Sequence, residues 1–483
     1  MIRVYLDWNV FSRLEHNDEV CKRLTEILAD ESKYILPYSP AHLKDLYRSY
    51  KKVGMEGIEG HLEKIQKYSK SLFIVYTIKH VLEFQFLDSK ESMRQHVEAY
   101  DEHEDFDYNV DKMMEVLEPF SSMLDSLFKI QLPNFTAKQT DEEEVNKQIA
   151  NTRSSELVKR LMGTEETISM KDMMQNLMTM SSTLYEDDSY SQWREGFQQD
   201  IKVSGRIKDK RFNPMDTLDE NAQKLQKKDF MELFESMLIG EDKKSFFNKI
   251  IALVRQLDFH GFYPDKIEKG HHLDNVETDY EHIAYATSCD IFIVHDNNTR
   301  AKAKLAFELL KLNVRVVSPK EYVEFVEKNL AEIEDGQHLI DYLFWIPTTE
   351  PTLVINSRSA HYIPSFVLNY FNLASYPIDN PKSIILQKMD TTNRVGIFVK
   401  EIEAIKEKLI SFYGAQLKEF GNLGEDAYLI AWLTTELVLI KLQLSAGNLT
   451  LEVSQCKKMT RYGKFITSGK SIIGKVSKKI RFR

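Results

Sequence analysis

The sequence predicts an α/β protein with three parts: a parallel sheet flanked by helices, a large all-α insertion, and a C-terminal domain of mixed α/β (α+β) character. Two observations predict the sheet. The apolar strand from Ile2 to Leu6 ends abruptly at Asp7, and a second apolar strand, 291–294, leads in the same way to Asp296. Short strands and helices also alternate around both, which favours parallel strands joined by right-handed crossovers. Each piece is too small to close a sheet alone, so we expect one split domain.

Length and composition describe an ordinary globular chain. At 483 residues it is too long for one hydrophobic core. A net charge of −10 argues against a protein that coats nucleic acid with its whole surface. The three cysteines are too scattered for a disulfide framework or a zinc motif, so we expect a reducing compartment. No signal peptide opens the chain, and the most apolar later stretch, 427–444, carries Glu436 and Lys441. We therefore predict a cytoplasmic protein without a membrane span, in which 427–444 is a buried helix.

The elements of the first piece follow in order. After Asp7 the spacing of apolar residues turns helical, and residues 34–36 read as a second strand. Ser39 and Pro40 then predict a helix start, with a capping side chain followed by proline in the first turn. That helix carries Asp45.

From about residue 51 to 270 the pattern predicts long amphipathic helices, for example 62–72, 110–127, 230–239 and 246–257. An insertion of this length is far above ordinary loops and is predicted to be a domain of its own. We interpret it as a cover for the crevice, a substrate channel or a surface for a protein partner. Beyond it, a helix through Asp279, the strand 291–294, a helix 299–312, a strand 314–317 and a helix from Ser318-Pro319 restore the α/β pattern.

The predicted domains are therefore a sheet domain from residues 1–50 plus 271–330, a helical insertion at 51–270, and a C-terminal domain at 331–483. In the C-terminal domain we predict strands at 352–355, 383–386, 395–399 and 450–453, with a helix at 401–412.

Four acids are placed to meet at one edge of the sheet: Asp7, Asp45, Asp279 and Asp296. The carboxyl ends of parallel strands form the ligand crevice of such sheets. Clustered carboxylates repel one another unless cations or protons relieve them, and oxygen ligands suit Mg²⁺ or Mn²⁺ rather than zinc. A cation held there supports hydrolysis of a phosphodiester by in-line attack of water.

The segments that carry these acids resemble the four acidic motifs of the PIN-domain nuclease family. They are the run Val4–Val10 around Asp7, the Ser39-x5-Asp45-Leu helix, the Asp279-x6-Ala286 helix and the strand that ends at Asp296. The resemblance implies one parallel sheet presenting three or four acids to one or two divalent cations, and cleavage of single-stranded RNA. It covers about the first 50 residues and about 274–328. The insertion therefore splits the resembling domain.

The resemblance assigns Asp7, Asp45, Asp279 and Asp296 as metal ligands and catalytic acids, with outer roles for the residues around them, which are Asn9, Asn298, His282 and His295. Two positions depart from the family: Asp45 stands where Glu is commoner, and His295 where Thr or Ser is usual.

Each acid also has a purely structural interpretation. Asp7 and Asp296 suit helix caps, Asp279 suits the first turn of a helix, and Asp45 suits a surface helix. A zinc site from His271, His272, Asp274 and His282 fits no usual ligand spacing. For His42 and His282 we favour packing or hydrogen bonding over phosphate contact or proton transfer.

Residues 457–483 are rich in lysine and arginine, carry interleaved aromatic residues and contain no acid. This composition predicts either a nucleic-acid contact or a solvated tail. The candidate contacts are Lys457, Lys458, Arg461, Lys464, Lys470, Lys475, Lys478, Lys479, Arg481 and Arg483.

The functional hypothesis is a metal-dependent endonuclease acting on RNA, or alternatively on DNA, and such a chain suits regulated cleavage by a toxin or phage-defence effector. Two alternatives remain: an inactive PIN-like scaffold that binds nucleic acid or protein, and a metal-dependent phosphatase or nucleotide hydrolase, which needs a closed small-molecule pocket.

Overall fold

The structure is a computed structural model of the chain. The residues it describes are 1–104, 131–133, 167–169, 194, 213–226, 229–238, 240–264, 273–329, 333, 335–345, 353–355, 358–377, 383–388, 397–414, 418–420, 427–433, 438–445 and 448–455. The basic end from 457 to 483, the predicted helix at 110–127 and the pair His271 and His272 lie outside the described residues.

The described helices are α1 (Trp8–Arg13), α2 (Glu19–Leu28), α3 (Pro40–Ser69), α4 (Ser89–Glu104), α5 (Pro214–Gln226), α6 (Phe230–Met237), α7 (Glu241–Lys244), α8 (Phe246–Phe259), α9 (Leu273–Ala286), α10 (Asn297–Leu309), α11 (Pro319–Asn329), α12 (Gly336–Trp345) and α13 (Phe398–Tyr413).

The described strands are β1 (Ile2–Leu6), β2 (Tyr34–Ile35), β3 (Leu72–Tyr76), β4 (Leu82–Phe86), β5 (Gln131–Pro133), β6 (Thr167–Ser169), β7 (Ile291–Ile293), β8 (Arg315–Val317), β9 (Leu353–Ile355), β10 (Arg358–Val367), β11 (Phe371–Pro377), β12 (Ser383–Gln387), β13 (Lys418–Phe420), β14 (Ala427–Leu433), β15 (Val438–Ser445) and β16 (Asn448–Gln455).

A parallel sheet unites the two distant pieces of the chain, as the sequence predicts. Its order is β2-β1-β7-β8, and β1 pairs with β7 in the register Val4 to Ile291 and Leu6 to Ile293. A parallel bridge between Tyr38 and Phe73 continues the sheet from the chain after β2 to β3. From β1 the chain passes to β2 on one side, while β7 and β8 lie on the other. The strand order therefore reverses between β1 and β7.

Both faces of the sheet are covered, which explains why its strands are apolar runs rather than alternating ones. Every residue of β1 is buried, including Arg3. On one face Tyr5 and Phe292 pack in a core with α8, α9 and α10. On the other face Leu6 and Ile293 pack against α1, α2 and α3.

The expectation of an all-α insertion is wrong. Within this insertion, Leu72–Tyr76 form β3, which pairs with β4 in an antiparallel hairpin, and β5 pairs with β6. Helix α3 is followed by Lys70, whose backbone is in the left-handed conformation. The five residues Leu72–Tyr76 are apolar, β-branched or aromatic, and such residues suit a strand. The predicted helices at 230–239 and 246–257 are confirmed as α6 and α8.

The C-terminal part is an antiparallel sheet of eight strands, in the order β13-β14-β15-β16-β12-β11-β10-β9, with α12 and α13 packed on its core. The predicted helix over 427–444 is wrong, because this stretch forms β14 and β15, paired from Ala427 with Ser445 to Leu433 with Leu439. Its buried residues, such as Ile440 and Leu442, recur with period two. The predicted strand at 395–399 is also wrong in its last two residues, which begin α13.

The other C-terminal elements are confirmed as β9, β12, β16 and α13. Among the described residues, no helix has the length and apolarity needed to cross a membrane.

Gly54 gives a test of the helix that carries Asp45. Within α3 it has φ 72° and ψ −178°, a conformation essentially restricted to glycine, although a Cβ there would meet nothing within 4 Å. We expect Gly54→Ala to lower the free energy of unfolding by about 1–3 kcal/mol. Gly60→Ala, in the same helix and equally open, is expected to raise it by about 0.5–1 kcal/mol. Urea unfolding of both variants measures the difference, and equal effects would contradict the kink.

Candidate functional site

The candidate site is the crevice at the carboxyl ends of β1 and β7, where the strand order reverses. Ligands of open α/β sheets bind at this kind of switch point because the loops after the two strands diverge there. Asp7 follows β1 directly, and His295 and Asp296 follow β7 after Val294. The sheet thus brings together residues nearly 290 positions apart.

Asp7 is held between the two strands by backbone N–H groups. Its Oδ1 accepts a hydrogen bond of 2.7 Å from the Val10 N–H, which caps α1, and its Oδ2 accepts one of 3.2 Å from the His295 N–H. Its own N–H donates to the Ile293 carbonyl at 3.1 Å. The carboxylate is therefore fixed by its own helix and by the neighbouring strand.

The burial of Asp7 changes its acidity. Only 5% of the residue is exposed, and this burial raises the pKa of Asp7 from 3.8 to about 6, against the lowering effects of the Val10 bond and of His282. The charge of Asp45 adds to the rise. Asp7 is thus electrostatically close to both a second acid and an imidazole.

Asp45 lies on α3 and is tied to α9. Its Oδ1 accepts a hydrogen bond of 2.8 Å from the Arg48 guanidinium, and its Oδ2 accepts one of 2.9 Å from the His282 Nε2. Arg48 also donates to the Thr278 hydroxyl at 2.8 Å. His282 therefore makes a hydrogen bond to one of the predicted acids.

A chain of hydrogen bonds continues from His282 into the sheet. The His282 Nε2 donates to the Asp45 carboxylate at 2.9 Å, and the His282 Nδ1 lies 2.9 Å from the Tyr5 hydroxyl. Tyr5 is fully buried, which raises its pKa well above 10, so it keeps its proton. The Ser39 hydroxyl lies 2.6 Å from the Tyr5 hydroxyl, within hydrogen-bonding distance.

His42 is a structural neighbour of this chain. Its Nε2 donates to the Leu6 carbonyl at 2.9 Å, and its Nδ1 accepts 3.1 Å from the Ser39 N–H. Burial, followed by the nearby His282, lowers the pKa of His42 well below 6.5. The neutral ring stands edge-on to His282 with 4.8 Å between ring centroids and holds the end of β1.

Asp296 caps α10, since its Oδ2 accepts 2.6 Å from the Thr299 N–H. Asp279 is half-buried on α9, one turn before His282 and therefore on the same helical side. Asn298 donates to the Pro264 carbonyl at 3.4 Å. Asn9 is exposed in the first turn of α1.

The side chain of His295 contacts helix α1. Its Nε2 accepts 3.1 Å from the guanidinium of Arg13, which lies in the last turn of α1. This contact places one exposed cation, Arg13, beside the two strand ends.

Among the residues that the structure describes, no group of three or more His, Cys, Asp or Glu side chains is arranged to hold a metal ion. A full protein cage is therefore not formed here. Mg²⁺ requires less, because one or two carboxylates completed by water and substrate phosphate suffice. Asp7 and Asp296, which follow adjacent strands, fit that requirement by their chemistry.

Sequence reasoning missed three residues of this site: Tyr5, Arg13 and Arg48. Tyr5 did carry a signal, since a buried tyrosine hydroxyl needs a partner that an aliphatic strand does not supply. The two arginines carried none beyond helical spacing, because their partners lie on other elements.

No family model matches the chain, and neither the curated proteins nor the solved structures gave a significant match. The functional interpretation therefore depends on the geometry at the switch point and on the four motifs.

Asp7 gives a stability test. Because its folded pKa of about 6 exceeds the ordinary 3.8, the fold favours the protonated acid, and stability is lost as pH rises from about 4 through 6. In chelator, we expect the free energy of unfolding of Asp7→Asn to gain about 1 kcal/mol relative to wild type between pH 5 and pH 8. Chemical denaturation at both pH values measures this gain.

Asp18→Asn is the matched control, because Asp18 caps α2 in the same way but is exposed, and hydrogen bonds from Cys21 lower its pKa. The control is expected to show no such gain. An equal gain in both variants would contradict the burial effect.

Proposed function

We propose that this protein is a metal-dependent endonuclease that hydrolyses phosphodiester bonds, with single-stranded RNA as its substrate. One observation carries the proposal: a buried carboxylate with a raised pKa, Asp7, lies at the switch point of a parallel sheet beside Asp45 and His282. Such perturbed acids cluster at functional sites because burial and like charges tune them for chemistry.

The chain's own residues have distinct parts in this proposal. Asp7 and Asp296, which follow two adjacent strands, would supply carboxylate oxygens as ligands. Asp45 adds negative charge close to Asp7, and His282 with Arg48 fixes its orientation. Arg13 contributes a cation for the phosphate backbone. Mg²⁺ or Mn²⁺, when bound, would orient water and neutralise charge on the phosphodiester under attack.

The resemblance to PIN-domain nucleases supports the choice of reaction and of RNA. It implies a parallel sheet flanked by helices with acids at the carboxyl ends of its strands, and the fold has both features. DNA is the alternative substrate. A chain with large additional parts suits regulated cleavage, as in a toxin or phage-defence effector.

A second candidate function has its own support. Asp7 and Asp296 cap helices, and Asp45 is occupied by Arg48 and His282, so each of these acids has a structural partner in the chain. An inactive scaffold that binds nucleic acid or protein would keep these contacts and need no metal.

Cleavage assays separate the two functions. With labelled single-stranded RNA and DNA, we expect cleavage in Mg²⁺ or Mn²⁺, none in chelator, and a loss of at least about 100-fold in Asp7→Asn and Asp296→Asn. Asp18→Asn, the exposed cap, should cleave like wild type. Cleavage that persists in chelator or in both site variants would rule out the metal-dependent nuclease, whereas binding without cleavage would favour the scaffold.

His282→Gln tests the orientation of Asp45. The variant removes the ring that links Asp45 to Tyr5, and the loss of such an outer contact typically costs about 10–100-fold in activity or metal affinity. We expect that loss in the cleavage rate, partly recovered at higher Mg²⁺. His361→Gln, which changes a buried histidine of the C-terminal sheet, should leave the rate unchanged. Unaltered cleavage in His282→Gln would show that Asp45 needs no positioning.

A further inference from the structure

We infer that Glu401 and Lys388, both from the C-terminal part of the chain, are positioning residues for the crevice. They hold β1 and β7 in the register that brings Asp7 to the backbone of His295. The consequence for cleavage rests on the proposed function, whereas the register is a property of the fold that is measured separately.

The contacts lie at the amino ends of the two strands. Glu401 binds Arg3 of β1 through two hydrogen bonds, 2.9 Å from Nε to Oε1 and 3.0 Å from Nη2 to Oε2. Lys388 binds Asp290, the residue before β7, at 2.7 Å, and its Nζ lies 3.6 Å from Glu401. The C-terminal part therefore contacts both strands through Glu401 and Lys388, which also lie close to each other.

The same groups connect the strands to each other. The Oδ2 of Asp290 accepts two hydrogen bonds, one of 2.8 Å from the Arg3 backbone N–H and one of 2.7 Å from the Lys388 Nζ. The Asp290 N–H in turn donates to the Arg3 carbonyl at 2.9 Å. One carboxylate oxygen thus joins the β1 backbone, the β7 end and the C-terminal lysine, so a shift of either strand would separate all three.

The charges are buried and balanced. The side chains of Arg3, Lys388 and Glu401 are at most 1% exposed, and that of Asp290 is 6% exposed. Although burial acts to raise it, Arg3 and Lys388 hold the pKa of Glu401 at about 2. A buried charge is costly without its partner, so only one arrangement of these four groups is acceptable.

Because the buried charges must stay paired, the observed register of β1 and β7 is more stable than a shifted register. A strand rises about 3.3 Å per residue, so a slip of two residues moves Arg3 by about 7 Å, far beyond contacts of 2.9 Å. A slip of one residue turns every side chain of β1 to the other face. Asp7 lies four residues beyond Arg3, directly after the end of β1, so the register set at Arg3 also sets the position of Asp7.

The test separates register from stability. Replacing a buried ion pair by apolar residues of similar volume often preserves stability, so the double variant Arg3→Met/Glu401→Leu keeps the fold and the Lys388 to Asp290 pair while removing the grip on β1. Hydrogen–deuterium exchange of the full-length protein, followed in peptides that cover Val10 and His295, reports whether the amides that bind Asp7 remain protected. We expect exchange at least tenfold faster there, with an unfolding midpoint close to that of wild type.

Lys441→Met/Glu452→Leu is the matched control. It removes a 3.0 Å lysine to glutamate pair between β15 and β16, within the same C-terminal sheet and away from Arg3. We expect unchanged exchange at His295. A tenfold rise in the control as well would overturn the inference, because it would show that any loss of charge in this sheet loosens the crevice.

Arg3→Lys keeps the test decisive if the double variant does not fold, since lysine retains the charge but loses the paired hydrogen bonds. An intermediate rise in exchange at His295 supports the inference, and unchanged exchange overturns it. For cleavage we expect a lower kcat with little change in KM. If wild-type protein fails to cleave, the proposed nuclease function is lost, while the exchange result still decides the positioning role.

Discussion

The candidate site depends on two backbone N–H groups that hold the carboxylate of Asp7 inside the protein, one from Val10 on its own helix and one from His295 on the neighbouring strand. Neither bond neutralises the charge, and burial dominates, so the pKa of Asp7 rises to about 6. A carboxylate in that condition is stabilised by any cation that enters the crevice. The burial that orders the end of β1 is therefore also what raises the pKa of Asp7.

Capping a helix and binding a cation are compatible tasks for the same acid. An ionised carboxylate offers two oxygens with about four acceptor positions, and a cap uses only one. Asp296 uses one oxygen for the Thr299 N–H, whereas Asp7 uses one oxygen for the Val10 N–H and the other for the His295 N–H, so each Asp7 oxygen keeps a second acceptor position. The cap fixes the side-chain rotamer in advance, which lowers the cost of ordering it around a ligand. Asp45 differs, because its two oxygens are bound by side chains, those of Arg48 and His282, rather than by backbone N–H groups.

The sequence predicted the elements that local pattern determines. An apolar run ended by an acid located β1 with Asp7 and β7 with Asp296, and capping residues located the start of α3 at Pro40. Local pattern failed where an apolar run suits either period, as in Ala427 to Leu444, which pairs as two strands. It also failed for partners far apart in the chain: nothing near Arg3 indicates Glu401, 398 positions away. Tyr5 was missed because its partners come from α3 and α9.

The buried charges of Arg3 and Asp290, at the amino ends of β1 and β7, have a physical reason in the split of the parallel sheet. β1 and β7 are apolar on both faces, so packing alone barely distinguishes the observed register from a slip of two residues. No short loop connects them to fix the pairing, as a turn fixes a hairpin. Arg3 and Asp290 supply the missing discrimination, because a shifted register leaves both charges buried without partners. Since their partners, Glu401 and Lys388, come from the C-terminal part, the crevice at Asp7 is complete only when the antiparallel sheet has docked.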